Sequence, residues 1–296
     1  MDQVIISRFL LEMNINTFYK YKNINDYTLD SLKNKYFYYS RQEQLDDPFD
    51  MYTPVEILKT DKEIRELFKR YPDLATVNTV DTYKKKQIRA QTDEQYHAKF
   101  FETTQVFHVL SLTPICDNDA MWALYADNHK GIAIGYKTMQ EDNCNYISFG
   151  IKREINRQRK FLLEQGKDSF YENPDLRIVL KPIVYDISKI RKFTPLMTDP
   201  YEMLGNIYIK KPLWSFEEEY RSVIISKEHR YKDLKIYYPD EVLSEIIFGY
   251  RTSEDDIKRV FEIIKNNYKN FENIIFYKAI PNRDKFTIEL KKLSWR

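Results

Sequence analysis

Glycine is scarce in this chain, with six in 296 residues. Backbone cradles for phosphate need several glycines at fixed spacing, and neither GxGxxG nor GxxxxGK[ST] occurs, so Rossmann and P-loop readings have nothing to build on. Cysteine is limited to Cys116 and Cys144, too few for a disulfide scaffold or a cysteine-rich zinc site. No run approaches the roughly 18 apolar residues of a spanning helix, and no membrane partner is expected. HExxH and GxSxG are absent, which removes the zincin and α/β-hydrolase signals. The opening MDQVIISRFLLEMNIN lacks a basic leader and a small-residue cleavage site, so the chain reads as a mature cytoplasmic protein. A net charge of +2 neither supports nor excludes nucleic acid as a target.

Tyrosine, by contrast, is abundant at 24, and apolar residues reach 43%, enough for a substantial core. The length fits one large domain, 1–296, or a domain with an insertion. Phe18 to Tyr21 and Tyr36 to Ser40 read as strands, with a short helix between them capped by Asn25 or Asp26 and presenting Leu29 and Leu32. Residues 54–106 change texture: Ile57, Ile64, Leu67 and Phe68 recur at helical spacing, and a second polar helical stretch follows, so this region is expected to be a helical insertion or lid. Its KKKQIR block reads first as a solvated face and second as a phosphate-binding patch. Further strands are expected at FHVLSLT, KGIAIGY, RIVLKPIVYDI, LKIYYP, VLSEIIFGY, NIIFYKA and FTIELKK. Helices are expected after Asn118, over 151–166, over 199–209 and after Thr252 or Ser253. Strands dominate both ends and helices the middle, an α+β pattern.

The stretch WSFEEEYRSVIIS carries the most suggestive chemistry. Read as a strand from Trp214, it puts Glu217, Glu219, Arg221 and Val223 on one face and Glu218 on the other. Carboxylates two residues apart lie roughly 7 Å from each other, where they repel and one tends to keep its proton. Arg221 can pair Glu219 and orient it. A charged edge that discourages sheet-to-sheet association is the plainer reading, and a partly desolvated acid–base pair is the functional one. His129, after a helix, is expected to be favoured in its protonated form by the helix dipole, in a capping or a site role. In LDDPFD, Asp46, Asp47 and Asp50 can serve a turn fixed by Pro48, or bind a metal or ligand.

Taken in order, YKY, YYS, DDPFD, LSLT, MWALYADNHKG, WSFEEEYR and EIIFGYRTSEDD resemble a widespread bacterial domain-of-unknown-function family, over roughly residues 17–290. Asp46 stands where asparagine is usual. That family's setting in mobile and phage-defence gene neighbourhoods implies a defence or toxin role and an antitoxin or defence partner. A second, weaker similarity is to ADP-ribosyltransferases. It implies two small facing mixed or antiparallel sheets around a cleft, NAD as substrate, and a nucleic-acid or protein acceptor. The similarity implies donor-binding residues Tyr19, Lys20, Tyr39, Ser40 and His129, with Lys20 where a first-strand His or Arg is usual. It implies catalytic roles for Glu219, Glu217 and Arg221: Glu219 stabilises a developing oxocarbenium charge, Glu217 deprotonates the acceptor, and no metal takes part. The alternative enzyme is a Mg²⁺-dependent nuclease or phosphodiesterase using Asp47, Asp50, Glu217 and Glu219, with Lys210 or Lys211 on a phosphate. A non-enzymatic defence-associated binding module is the third reading.

Overall fold

The computed structural model describes residues 14–54, 56–92, 105–141, 144–149, 177–194, 200–226 and 232–294. β1 (Asn14–Lys22) opens the described chain, and its alternation buries both faces. Phe18 enters the main hydrophobic cluster, while Tyr19 and Tyr21 enter a second one with Trp122. α1 (Asp26–Asn34) begins where the Asn25 side chain accepts from the Thr28 N–H at 2.9 Å, and it closes on Lys35 in the left-handed region, φ 55°. Leu29 and Leu32 pack into the main cluster. β2 (Tyr36–Tyr39) then pairs antiparallel with β8 (Leu234–Tyr237).

Between β2 and β3 (Phe107–Leu112) stand α2 (Asp61–Arg70), α3 (Pro72–Val77) and α4 (Val80–Thr92). A reciprocal cap starts α2: the Glu63 N–H donates to the Thr60 hydroxyl, and the Glu63 carboxylate accepts from the Thr60 N–H. Ile64, Leu67, Tyr83 and Leu58 form a small cluster of their own. Ile57 precedes the helix and is exposed, because the cap at Thr60 sets the start. In the basic block, Lys84 pairs with Asp61 and Lys86 donates to Asn78, as a solvated face would. The helix expected over 151–166 lies outside the described residues.

α5 (Asp119–Tyr125), β4 (Ile132–Glu141), β5 (Cys144–Ser148), β6 (Arg177–Pro182), the helical turn α6 (Pro200–Met203), β7 (Tyr220–Ile225), β9 (Leu243–Phe248), α7 (Glu254–Asn267), β10 (Ile275–Asn282) and β11 (Thr287–Lys292) complete the order. Among the described residues the fold is α+β, with one sheet of nine strands and one of two. β9 and β10 are parallel, and α7 supplies the crossover that a parallel pair needs. Its Ile257, Val260 and Ile264 cover the sheet, and Ser253 caps it ahead of three acidic residues that suit the positive helix end.

The pairing that matters for function runs in a circuit. β1 pairs with β4, β4 with β5, β5 with β6, β6 with β7, and β7 with β3. A bridge between Tyr19 and Thr113, with N–H···O distances of 2.7 and 3.0 Å, returns the circuit to β1. A second bridge, Ser40 to Val109, ties the end of β2 to β3. The sheet therefore curls so that β1, β3 and the start of β7 approach one another.

One corner of this arrangement is tightly constrained. Asp127, Asn128 and His129 are all left-handed, with φ of 47, 51 and 68°. The loop is held by the His129 carbonyl, which accepts from the Arg251 N–H, and by Gly249, whose N–H donates to Gly131. A Cβ on Gly249 would lie 2.1 Å from the His129 oxygen. Gly249→Ala should lower the unfolding free energy by about 1–3 kcal/mol. Urea denaturation measures this, and an unchanged midpoint would contradict the packing described.

Candidate active site

The glutamates do not reach one place by strand alternation, as the sequence suggested. Pro212 to Glu217 form a 3₁₀ turn, Glu218 is left-handed at φ 42°, and β7 starts only at Tyr220. Proline opens the turn and the left-handed residue ends it, so the chain swings the exposed Glu218 outward and leaves Glu217 and Glu219 both buried. Trp214 on the same turn donates its indole N–H to Asp47 Oδ2 at 2.8 Å, and Lys211 pairs with Asp47 Oδ1 at 3.0 Å. Asp47 Oδ1 also accepts from the Phe49 N–H. The acidic turn after β2 is thereby stitched to the segment before β7.

Arg221 occupies the centre and is fully buried. Its guanidinium forks onto two carboxylates. Nε and Nη2 donate to Glu219 at 2.8 and 2.9 Å, and Nη1 and Nη2 donate to Asp50 at 3.0 and 2.9 Å. Nη1 also donates to the Ile207 carbonyl at 2.7 Å. The Lys210 ammonium donates to Glu217 Oε2 at 2.5 Å and Glu219 Oε2 at 3.2 Å, and lies 3.5 Å from Asp50. The second oxygen of Glu217 accepts from the Tyr125 hydroxyl at 2.5 Å, and the Glu219 N–H donates to the Tyr185 hydroxyl at 2.8 Å. Both oxygens of Glu219 are thus taken by cations, whereas Glu217 holds one cation and one phenol.

This difference separates the two acids. Burial pushes Glu217 upward, and Lys210 and Tyr125 offset it only in part. Burial acts the same way on Glu219, but Arg221 and Lys210 outweigh it and bring the group down to about 2. Across from them Lys20, whose Nζ donates to the Ser111 carbonyl at 2.9 Å, is brought down to about 7 by burial and by Lys22, against the pull of Glu219 and Glu217.

These groups face a cleft of ≈ 590 Å³. Lys20, Ser40, Glu217, Glu219 and Arg221 line it, drawn together from β1, the end of β2 and the start of β7; Tyr19 borders it too, but its ring is buried in the second cluster with its hydroxyl donating to Glu245. Two residues expected there are elsewhere. Tyr39 is core, 1% exposed, with its hydroxyl donating to Ser222; neighbouring strand residues face opposite ways, so only Ser40 turns to the cleft. The His129 ring stacks at 6.4 Å on Trp122 and lies against Tyr250, outside the cleft lining. Burial lowers its pKa, with Asp119 opposing, so the protonated form expected from the helix dipole is not the favoured one. Tyr125, Asp127, Asn128 and Trp214 also line the cleft though no site role was expected of them, and Lys210, a phosphate candidate alongside Lys211 only in the nuclease alternative, lies among carboxylates. The four positions share one signal: all fall within the MWALYADNHKG and WSFEEEYR runs, beside residues that were singled out.

Residues 121–222 match the model of a family described as a protein of unknown function, DUF2971. Membership of a domain-of-unknown-function family, expected from the motifs, is supported over that stretch. No curated protein and no solved structure matches. The DUF2971 match spans Tyr125, Lys210, Glu217, Glu219 and Arg221, while Lys20, Ser40, Asp47 and Asp50 fall before it.

Glu219 yields a pH prediction. Its folded pKa lies below its ordinary value of 4.5, so its stabilising contribution is complete above about pH 4.5 and is lost as pH falls toward 2. Glu219→Gln should cost a few kcal/mol at pH 7, with the gap from wild type narrowing through that acid window. A gap that does not change with pH, measured by denaturant titration, would contradict the assigned ionisation.

Proposed function

We propose that this protein is an NAD-dependent ADP-ribosyltransferase-like enzyme, or an NAD glycohydrolase when water is the acceptor. The observation that carries the reading is the unequal glutamate pair: Glu217, with the raised pKa, faces across a cleft toward Lys20 while Glu219 is fully engaged by Arg221. In the reaction, the bond between nicotinamide and ribose C1 breaks and its electron pair leaves with nicotinamide. Positive charge builds on the ribose ring, as in glycoside cleavage. An acceptor oxygen or nitrogen then bonds to C1 and gives up its proton.

On this reading Glu217 meets the substrate: it stabilises the ring charge and then takes the acceptor's proton, a step for which a raised carboxylate pKa is suited. Glu219 and Arg221 are positioning residues that fix Glu217's turn. Lys20 and Ser40 hold the ribose or phosphate side of the donor, and Trp214, which lines the cleft, offers an aromatic side chain to its rings. The cleft's size falls within the ordinary range for small-molecule sites. Asp50, Glu217 and Glu219 gather around Lys210 and Asp47 lines the same cleft, but among the described residues no three of them form a group that could hold a metal ion. The Lys210 ammonium lies between three of these carboxylates, where a divalent ion would have to sit, and this favours the reaction without metal. The family resemblance adds a setting in bacterial defence, as a toxin-like effector held by a partner.

Purified protein mixed with NAD⁺ in EDTA should release nicotinamide, read by chromatography. Glu217→Gln should lower the rate by about 100-fold or more, while calorimetry still detects NAD⁺ binding. Nucleic-acid cleavage that requires Mg²⁺, without nicotinamide release, would overturn the reading in favour of the nuclease. Silence in both assays would leave the binding module.

A further inference from the structure

Behind the acidic wall of the cleft lies a second concavity of ≈ 310 Å³. It shares Asp47, Asp50 and Lys210 with the cleft, so the ion cluster is a partition between two chambers. Its other walls differ in kind. Phe49 and Tyr52, from the loop after β2, are 62% and 53% exposed, and Ile187 is 52% exposed. Single exposed apolar side chains are ordinary, but three converging on one hollow beside a candidate active site call for an occupant.

The charges at this hollow indicate which occupant. Asp47 is engaged by Lys211, by Trp214 and by the Phe49 N–H, and Asp50 by Arg221 and Lys210. With both acids committed, the exposed Lys192 leaves positive charge on the rim, while Lys211, paired to Asp47, keeps its ammonium 4.3 Å from the Phe49 ring centre. An apolar, aromatic interior with cations only at its edge fits a flat ring carrying an anionic group outside. That is the form of a nucleotide in a single strand, with the base against the aromatic side chains and a phosphate on Lys192.

We propose that this second chamber binds a nucleotide of single-stranded nucleic acid. Resting on the transferase reading above, the bound nucleotide belongs to the acceptor strand and flanks the nucleotide that enters the NAD chamber to meet C1 and Glu217. The binding itself involves no covalent step and requires no NAD.

The test uses the full chain without NAD. Fluorescein-labelled single-stranded DNA and RNA 12-mers, and the DNA duplex of the same sequence, are titrated by anisotropy at 50 and 200 mM salt. A single strand should bind more tightly than the duplex. The double variant Phe49→Ala, Tyr52→Ala should weaken binding at least about tenfold. Lys192→Glu should weaken it and reduce the slope of affinity against salt by about one. All three side chains are exposed, so thermal melting should stay within a few degrees of wild type; the lysine variant keeps the test open if the double variant melts early. Absence of binding at micromolar protein, preference for duplex, or affinity unmoved by both variants would overturn the proposal. Capture of an acidic aromatic peptide in place of the oligonucleotides would overturn it too. Nicotinamide release is measured without nucleic acid, so either proposal can fail while the other stands.

Discussion

Five ionisable side chains, Arg221, Lys210, Asp50, Glu217 and Glu219, are each less than 10% exposed and lie within bonding distance of one another. Isolated charges could not remain ionised in such a place, because desolvation costs several kcal/mol per ion. They persist because each is answered by an opposite charge at 2.5–3.5 Å. The geometry is therefore fixed from many sides. Displacing Arg221 would leave the buried Glu219 and Asp50 with Lys210 as their one remaining cation among the described residues, so the turn at 212–217 and the loop after β2 are held to one arrangement. A buried cluster of this sort is poor evidence for extra stability. What it supplies here is position.

Position is what an acid needs before it can act. Two carboxylates in the same wall, two residues apart in sequence, are brought to opposite ionisation tendencies by their partners alone: a forked guanidinium for one, a single ammonium and a phenol for the other. The curled sheet then places β1 opposite, so that Lys20 meets this pair across the cleft. The link from sequence to site passes through that curl, since the bridge from Tyr19 to Thr113 joins the first strand to the third without any local signal for it.

Local features were legible in the sequence. Asn25, Asn118 and Ser253 each cap the helix expected, because a capping side chain answers backbone donors only a few residues away. β2, β3 and the strand after His129 followed from aromatic and branched residues in short runs. The glutamate stretch misled because apolar and acidic alternation outweighed Pro212 and gave no hint of a left-handed Glu218. Arg221 was correctly paired with Glu219, two residues away, but its bond to Asp50 spans 171 positions and no periodicity encodes such a contact. Lys210 illustrates the same limit: its chemistry was recognised, but its place among acids depends on which loops fold against it. For His129, the helix dipole was the only visible influence, and burial beside Trp122 and Tyr250 outweighed it.

Asp50 and Arg221 act as one buried unit on which the wall of the cleft depends. A double-mutant cycle on unfolding free energy, with Asp50→Asn, Arg221→Met and the combined variant, measures that coupling directly. An interaction of about 2 kcal/mol or more is expected, in the range found for close, desolvated charge pairs. Additivity within about 0.5 kcal/mol would mean that the two are merely neighbours and that the wall of the cleft is held by something else.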